Sequence, residues 1–309
     1  MQRGLWMCAV MSVMYGATAA ATTTAVADEF WSQWGDGKAE LDGYALVEPR
    51  YGQPREGTAV LIFVTEDFSD EARVKADPGK HAKSDVYPVM KLNLVRDFQT
   101  GIYDYNTMTS TFLKTEARWA LAKTSFSSQE WCGHVFMQWI PRDGKLRGTS
   151  HSYFDGEGDA APELPFPDGG VVEDALPILV RGLRGAWLAP GESRKVPFLR
   201  SQLRTRLLHV PAAWGDATVS RSPAAEPFKS ALGTHQVWTY RVVETGGDTI
   251  TFTVEDAAPH RLLAWKSSSG ESARILGSAR LKYWDMHQRG GEAALQQLGL
   301  VPQALPLKR

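Results

Sequence analysis

The stretch Thr249-Ile250-Thr251-Phe252-Thr253-Val254-Glu255 places an apolar side chain at every second position, with threonine between. Successive side chains of a β-strand point to opposite faces, so this alternation describes a strand with one buried and one wet face. Just before it, Glu244-Thr245-Gly246-Gly247-Asp248 is a glycine-rich turn that joins it to Gln236 to Val243, and the three pieces read as a β-hairpin. Just after it, Arg261 to Lys266 and Ala273 to Trp284 continue as strands across Ser267-Ser268-Ser269-Gly270.

The same signature recurs towards the N-terminus. Thr58-Ala59-Val60-Leu61-Ile62-Phe63-Val64-Thr65 is an apolar run rich in β-branched residues, too short for a typical helix and suited to a strand covered on both faces. Ala39 to Val47 precedes it across the turn-rich Pro49-Arg50-Tyr51-Gly52-Gln53-Pro54. Val89 to Phe98 and Ile102 to Phe112 flank a turn at Gln99-Thr100-Gly101. Ala117 to Phe126, Glu130 to Ile140 and Leu146 to Phe154 extend the meander, with Asp143-Gly144 in its last turn. Gly156 to Gly170, rich in Gly, Pro and acids, reads as a linker. Beyond it Val172, Leu176, Leu179, Val180 and Leu183 recur at helical spacing, with Pro177 tolerated only near the first turn. Arg204 to Val210 reads as a further strand and Ala293 to Leu298 as a closing helix.

The fold class expected is therefore mainly β: curved antiparallel sheets or half-barrels in two parts, with one short connecting helix and a short C-terminal helix. The divisions are 28–155 for an N-terminal antiparallel β domain, 156–200 for a linker with the helix, and 201–309 for a C-terminal β-meander domain. Eleven tryptophans in 309 residues fit this, because large rings suit pleated, half-buried surfaces. Wrapping such sheets towards a barrel removes exposed edges.

Residues 1–27 read as a signal peptide. Arg3 is the only charge before Asp28, an apolar run follows from Leu5 to about Ala21, and Ala25-Val26-Ala27 supplies a small-x-small cleavage site. The alternative is an uncleaved membrane anchor over Gly4 to Ala21. The expected location is exported, either periplasmic or outer-membrane-associated. Removing the signal removes Cys8 and leaves Cys132 alone, so no internal disulfide is expected and stability must come from core burial. Thirty-four basic against thirty-five acidic residues, with no basic run, argue against nucleic acid as a partner.

The densest polar cluster is Ser127-Ser128-Gln129-Glu130-Trp131-Cys132-Gly133-His134. On one continuous strand Glu130, Cys132 and His134 would share a face, roughly 7 Å apart from one to the next. Such a trio could form a nucleophile, with Cys132 attacking, His134 as its base and Glu130 beside them, because only the thiolate attacks and a nearby imidazolium lowers the thiol pKa. It could instead supply two or three zinc ligands, the rest coming from another strand, but the leading reading is a small buried Cys beside a hydrogen-bonded His, with Glu130 at a strand end. Arg50 and Tyr51 before their turn, Lys91, Asn93, Arg96 and Asp97 on an alternating strand, and Arg206 with His209 are weaker candidates. They fit either a ligand-lined cavity or a solvated sheet face. Phosphate-cradling glycine loops, HExxH and GxSxG are missing from the sequence.

The segments FWSQWGDGKAELDGYALVEPRYG, EGTAVLIFVTEDFS, VMKLNLVRDFQTGIYDYNTMTSTF and SQEWCGHVF, which cover most of residues 30–155 in order, resemble a family of uncharacterised exported bacterial proteins often labelled "septum formation inhibitor Maf". The likeness continues more loosely through the helix and RLLH at Arg206 to His209. The label itself fits poorly: true Maf proteins are cytoplasmic nucleotide pyrophosphatases with an α/β fold, and this chain has no counterpart of their phosphate-binding start. From TYRVVE through RLLAWKSSSG to ARLKYWDM the chain is similar to a periplasmic β-rich domain family of unknown function, whose fold resembles the curved half-barrel of bacterial lipoprotein carriers. The leading functional expectation is a non-enzymatic cell-envelope protein that binds a lipid, another apolar or amphipathic ligand, or an envelope protein partner in a curved sheet. The alternative is a hydrolase or transferase using Cys132 and His134. No cofactor and no metal are expected to be required.

Overall fold

The computed structural model describes residues 29–116 and 119–302. The expected signal peptide lies outside the described residues. Sixteen strands make one sheet. In chain order they are β1 (Ala39–Arg50), β2 (Gln53–Ser69), β3 (Val86–Thr100), β4 (Tyr103–Lys114), β5 (Leu121–Glu130), β6 (Gly133–Arg142), β7 (Lys145–Ser152) and β8 (Glu163–Pro165). After these come β9 (Val171–Val172), β10 (Ser193–Leu199), β11 (Trp214–Arg221), β12 (Glu226–Ser230), β13 (Gly233–Glu244), β14 (Thr249–Glu255), β15 (Leu262–Ser267) and β16 (Ser272–Leu281).

The molecule is mainly β, antiparallel and curved, as the alternation implies. The two strand-rich parts share a single sheet, because β1 pairs with β2 on one side and with β16 on the other. One wing runs from β1 out to β8 and the other from β16 back to β9, with β12 pairing β13 off the main path. Tight turns make the long meander. Tyr51-Gly52 and Asp143-Gly144 have left-handed φ of 55° and 71°, and 53° and 71°. That backbone twist matches the flanking strands of a two-residue hairpin.

The sheet curls until its edges approach. β8 and β9 form no ladder with each other, but only residues 166–170 separate them in the chain, which limits the gap to roughly 20 Å at full extension. Across it Phe166 donates its N–H to the Gly144 carbonyl of one wing. Its ring stacks on Trp214 of the other wing, centroids 5.7 Å apart. A side-chain clasp thus stands where a closed barrel would have hydrogen bonds.

The concave side is filled by the chain itself. Residues 173–188, between β9 and β10, run through it and contribute Ala175, Leu176, Ile178, Leu179 and Leu188 to the main core. That core also takes Tyr44 and Leu61 from one wing and Tyr240, Phe252 and Ile275 from the other. The expected helix is confined to a 3-10 turn, Glu173–Ala175, and one α turn, Leu176–Leu179, with Pro177 in its first turn. On the convex side the C-terminal 3-10 helix Gly291–Leu298 lies on β1 and β16, where Leu298 packs with Ala39, Leu41 and Val64. Gly43 faces Gly277 in that ladder, and a side chain on either would collide with the backbone of Gln297 and Leu298.

Two expectations are corrected. Arg204 to Val210 is no strand: Gln202–Leu208 is a helix, because the Ser201 side chain caps it by accepting from the Arg204 N–H and His209 ends it in the left-handed conformation. The strand drawn from Glu130 to Ile140 is also displaced, since Glu130 closes β5 and Gly133 opens β6.

Candidate functional site

Three regions hold the polar and cavity-lining residues. The first is a rim at the end of the curl bearing the β1–β2, β3–β4 and β5–β6 turns. Here the displaced hairpin separates the trio expected on one face. Glu130 pairs with Gly133, so Trp131 and Cys132 form the turn, and His134 lies on β6 opposite Gln129. Glu130 points inward and is buried, whereas His134 and Cys132 are exposed. The Glu130 carboxylate accepts the Cys132 N–H at 2.7 Å. A hydrogen bond to that carboxylate raises the thiol pKa above its ordinary value, which opposes the thiolate a nucleophile needs. No hydrogen bond joins Cys132 to His134 among the described residues. Nor does any group of three or more His, Cys, Asp or Glu side chains among them form a metal-binding cluster.

The rim instead assembles residues that sequence spacing kept apart. Arg50 donates to the Tyr105 hydroxyl (3.2 Å) and to the Leu207 carbonyl (3.3 Å), and it lies over the Tyr51 ring. Tyr51 and Tyr105 share a 2.9 Å hydrogen bond. Arg206 is buried, stacks 3.8 Å from the Phe154 ring centroid and donates to His209 Nε2 at 3.0 Å, while His209 Nδ1 pairs with Glu157. Arg50, Tyr51, Arg206 and His209 thus belong together, because the helix Gln202–Leu208 ends beside the β1–β2 turn.

The second region is a set of charges inside the curl. The inward positions of β1 carry Glu40, Asp42 and Glu48. Arg181, just beyond the helix Leu176–Leu179, pairs with Glu40 at 2.7 Å and donates to the Pro259 and His260 carbonyls at 2.8 and 2.9 Å. Burial, reinforced by the Glu40 charge, pushes the Asp42 carboxyl up to about 8. Glu48 is pushed up to about 8 by burial and then by Glu271; Arg96 bridges this pair, 3.9 Å from Glu48 and 3.1 Å from Glu271. Burial also lifts Glu173 to about 7 and Asp174 to about 6. Arg96 therefore differs from its strand neighbours: Lys91 and Asn93 lie on the convex face, paired with Glu66 and Ser110, as a solvated sheet would place them.

The third region is a cleft of about 660 Å³ at the seam, near the end opposite the rim. Ligand cavities typically span roughly 300–1,000 Å³. Leu113, Leu121, Val171, Leu179 and Val196 form an apolar floor, and Trp119, Phe166 and Trp187 add aromatic walls. The charged lining is Arg73, Lys114, Arg194, Lys195 and Asp168. The acids that pair with those cations, Asp70, Glu192 and Asp216, stand outside the lining. The loop 180–187 divides this cleft from a smaller pocket of about 260 Å³ lined by Trp34, Arg181, Trp238 and Tyr240.

No protein-family model, curated protein or solved structure matches the chain.

The reading of function therefore rests on this geometry. The cleft is a feature that sequence reasoning missed. It opens because β9 covers only Phe198 and Leu199 of β10, leaving Arg194 to Pro197 unpaired on that side. The signal available was Pro197 with Arg194 and Lys195, a proline and two cations of the kind found on edge strands.

Proposed function

We propose that the protein is a non-enzymatic binder of an amphipathic molecule, with an apolar body and an anionic head, held in the seam cleft. Filling of the concave face by residues 173–188 and the helix Gln202–Leu208 moves the expected site from the middle of the sheet to the place where the sheet fails to close. The observation that carries the reading is the pairing of an apolar, tryptophan-walled floor with Arg194 and Lys195, which stand at its lip on the unpaired edge of β10. Apolar burial there supplies affinity, at about 25 cal/mol per Å² of apolar surface, and the lip charges orient the head. Such a role suits the cell envelope, where the export signal would deliver the chain.

Titration with a fluorescent fatty acid, read by energy transfer from tryptophan, tests this. Saturable binding of one molecule per chain is expected, weakened roughly tenfold or more by Trp187→Ala and several-fold by Lys195→Glu. Binding that is absent, or unchanged in both variants, would overturn the proposal.

A further inference from the structure

The rim carries a second surface that the cleft does not explain. Ile102, Tyr153, Trp131, Tyr51 and Leu208 are, apart from Val301 near the C-terminal end, the most exposed large apolar side chains among the described residues, and all five stand here. Ile102 is 79% and Trp131 69% exposed, each at the tip of a two-residue hairpin turn. The tips are contiguous. The Tyr103 hydroxyl reaches Tyr51 at 3.4 Å, the Tyr103 and Trp131 rings lie 6.3 Å apart, and Tyr153 packs against Gly133 beside the third turn. Leu208 follows the residue whose carbonyl Arg50 holds.

The polar groups of this surface are arranged to suit a lipid–water boundary. Of the nearby acids, Glu130 is buried and accepts the Cys132 N–H, Glu157 is half-buried and pairs with His209, and the exposed Asp104 is engaged by Asn106 and the Trp131 indole. Arg50 has no carboxylate partner among the described residues. It spends its donors on tyrosine hydroxyls and a carbonyl, so no ion pair holds its charge beneath the exposed rings. Trp and Tyr, apolar in body and polar at one end, favour that boundary. A guanidinium just behind the rings matches lipid phosphate.

We infer that the three hairpin tips at Tyr51, Ile102 and Trp131 dock the protein on an anionic membrane surface, with these side chains entering the headgroup region and Arg50 facing phosphate. Strand β4 runs from this rim towards the seam end for roughly 35 Å, so the cleft stays in water while the rim is seated. The inference does not depend on the cleft holding a ligand.

Cys132, exposed beside Trp131, provides the probe. In the full chain carrying Cys8→Ser, an environment-sensitive fluorophore on Cys132 is mixed with phosphatidylethanolamine–phosphatidylglycerol vesicles. Expected are a blue shift, quenching by brominated acyl chains, and vesicle partitioning reduced roughly tenfold or more by Ile102→Glu. The apolar N-terminal stretch is the same in both chains, so it cannot produce that difference, and the far-UV spectrum of the variant should be unchanged. A fluorophore that stays in water while vesicles are present, partitioning indifferent to Ile102→Glu, or a dimer dispersed by Ile102→Glu without vesicle binding would each overturn the inference. None of these outcomes bears on fatty-acid binding at the seam.

Discussion

The two ends of the curled sheet solve the problem of termination in opposite ways. At the rim, neighbouring strands are joined by two-residue turns, backbone groups stay in the ladder, and the buried polar side chains Glu130 and Arg206 have partners at hand. At the seam the strands simply stop pairing. An aromatic clasp and the loop 180–187 take over, and apolar lining is left open to a cleft. The lesson is that a sheet curled around its own chain has no room for a ligand in the middle. Binding capacity collects where the hydrogen-bonded wall is incomplete.

The largest effect that separates the two ends should come from Arg181, which ties the loop wall to β1. Arg181→Leu leaves the buried Glu40 without its ion-pair partner, and chemical denaturation should show a loss of about 3–5 kcal/mol. Arg50→Leu at the rim, which strands no buried carboxylate, should lose much less, about 1 kcal/mol.

Next is a pH effect lodged in the same strand. Asp42 binds its proton more tightly folded, at about 8, than in the unfolded chain, near its ordinary 3.8. The folded state therefore holds more protons between those values, and the group's contribution to stability falls as pH rises through that window, with a slope of up to ~1.4 kcal/mol per pH unit. Asp42→Asn should accordingly match the wild type near pH 4 and be more stable than it at pH 8–9. Equal melting curves for the two chains at pH 9 would contradict the burial argument.

The clasp should be worth less. Trp214→Ala removes the ring on which Phe166 stacks and is expected to cost about 1–2 kcal/mol. It should also speed hydrogen exchange in β8 and β9 while leaving β3 and β4 protected. Smallest of all is Cys132→Ser, which should change stability by no more than about 0.5 kcal/mol and leave fatty-acid binding intact. Despite its exposure, Cys132 should alkylate slowly at neutral pH, and its rate should climb only at high pH, because Glu130 favours the protonated thiol.

How far the sequence discloses this architecture depends on how local each cause is. Thr249–Glu255 forms β14 over the whole quoted stretch, because alternation is a property of neighbouring residues. The Asp143-Gly144 turn is equally local. Arg204 to Val210 reads as a strand by composition, whereas the helix Gln202–Leu208 is marked by Ser201 as its cap and by the spacing of Leu203 and Leu207. Glu130, Cys132 and His134 share a face only on an unbroken strand; Trp131-Cys132 is not a recognisable turn pair, yet this one two-residue turn moves the three into different environments. The seam was beyond reach. It arises from a stack between Phe166 and Trp214 and from a pairing of the first strand with the last, neither of which leaves a mark on nearby sequence.

The most direct test of the account is native mass spectrometry of the protein purified from the cells that make it, alongside its Trp187→Ala variant. The account predicts one amphipathic molecule, anionic at one end, on each wild-type chain, and its loss from the variant. A wild-type chain that emerges bare, or a ligand held equally by both, would contradict it.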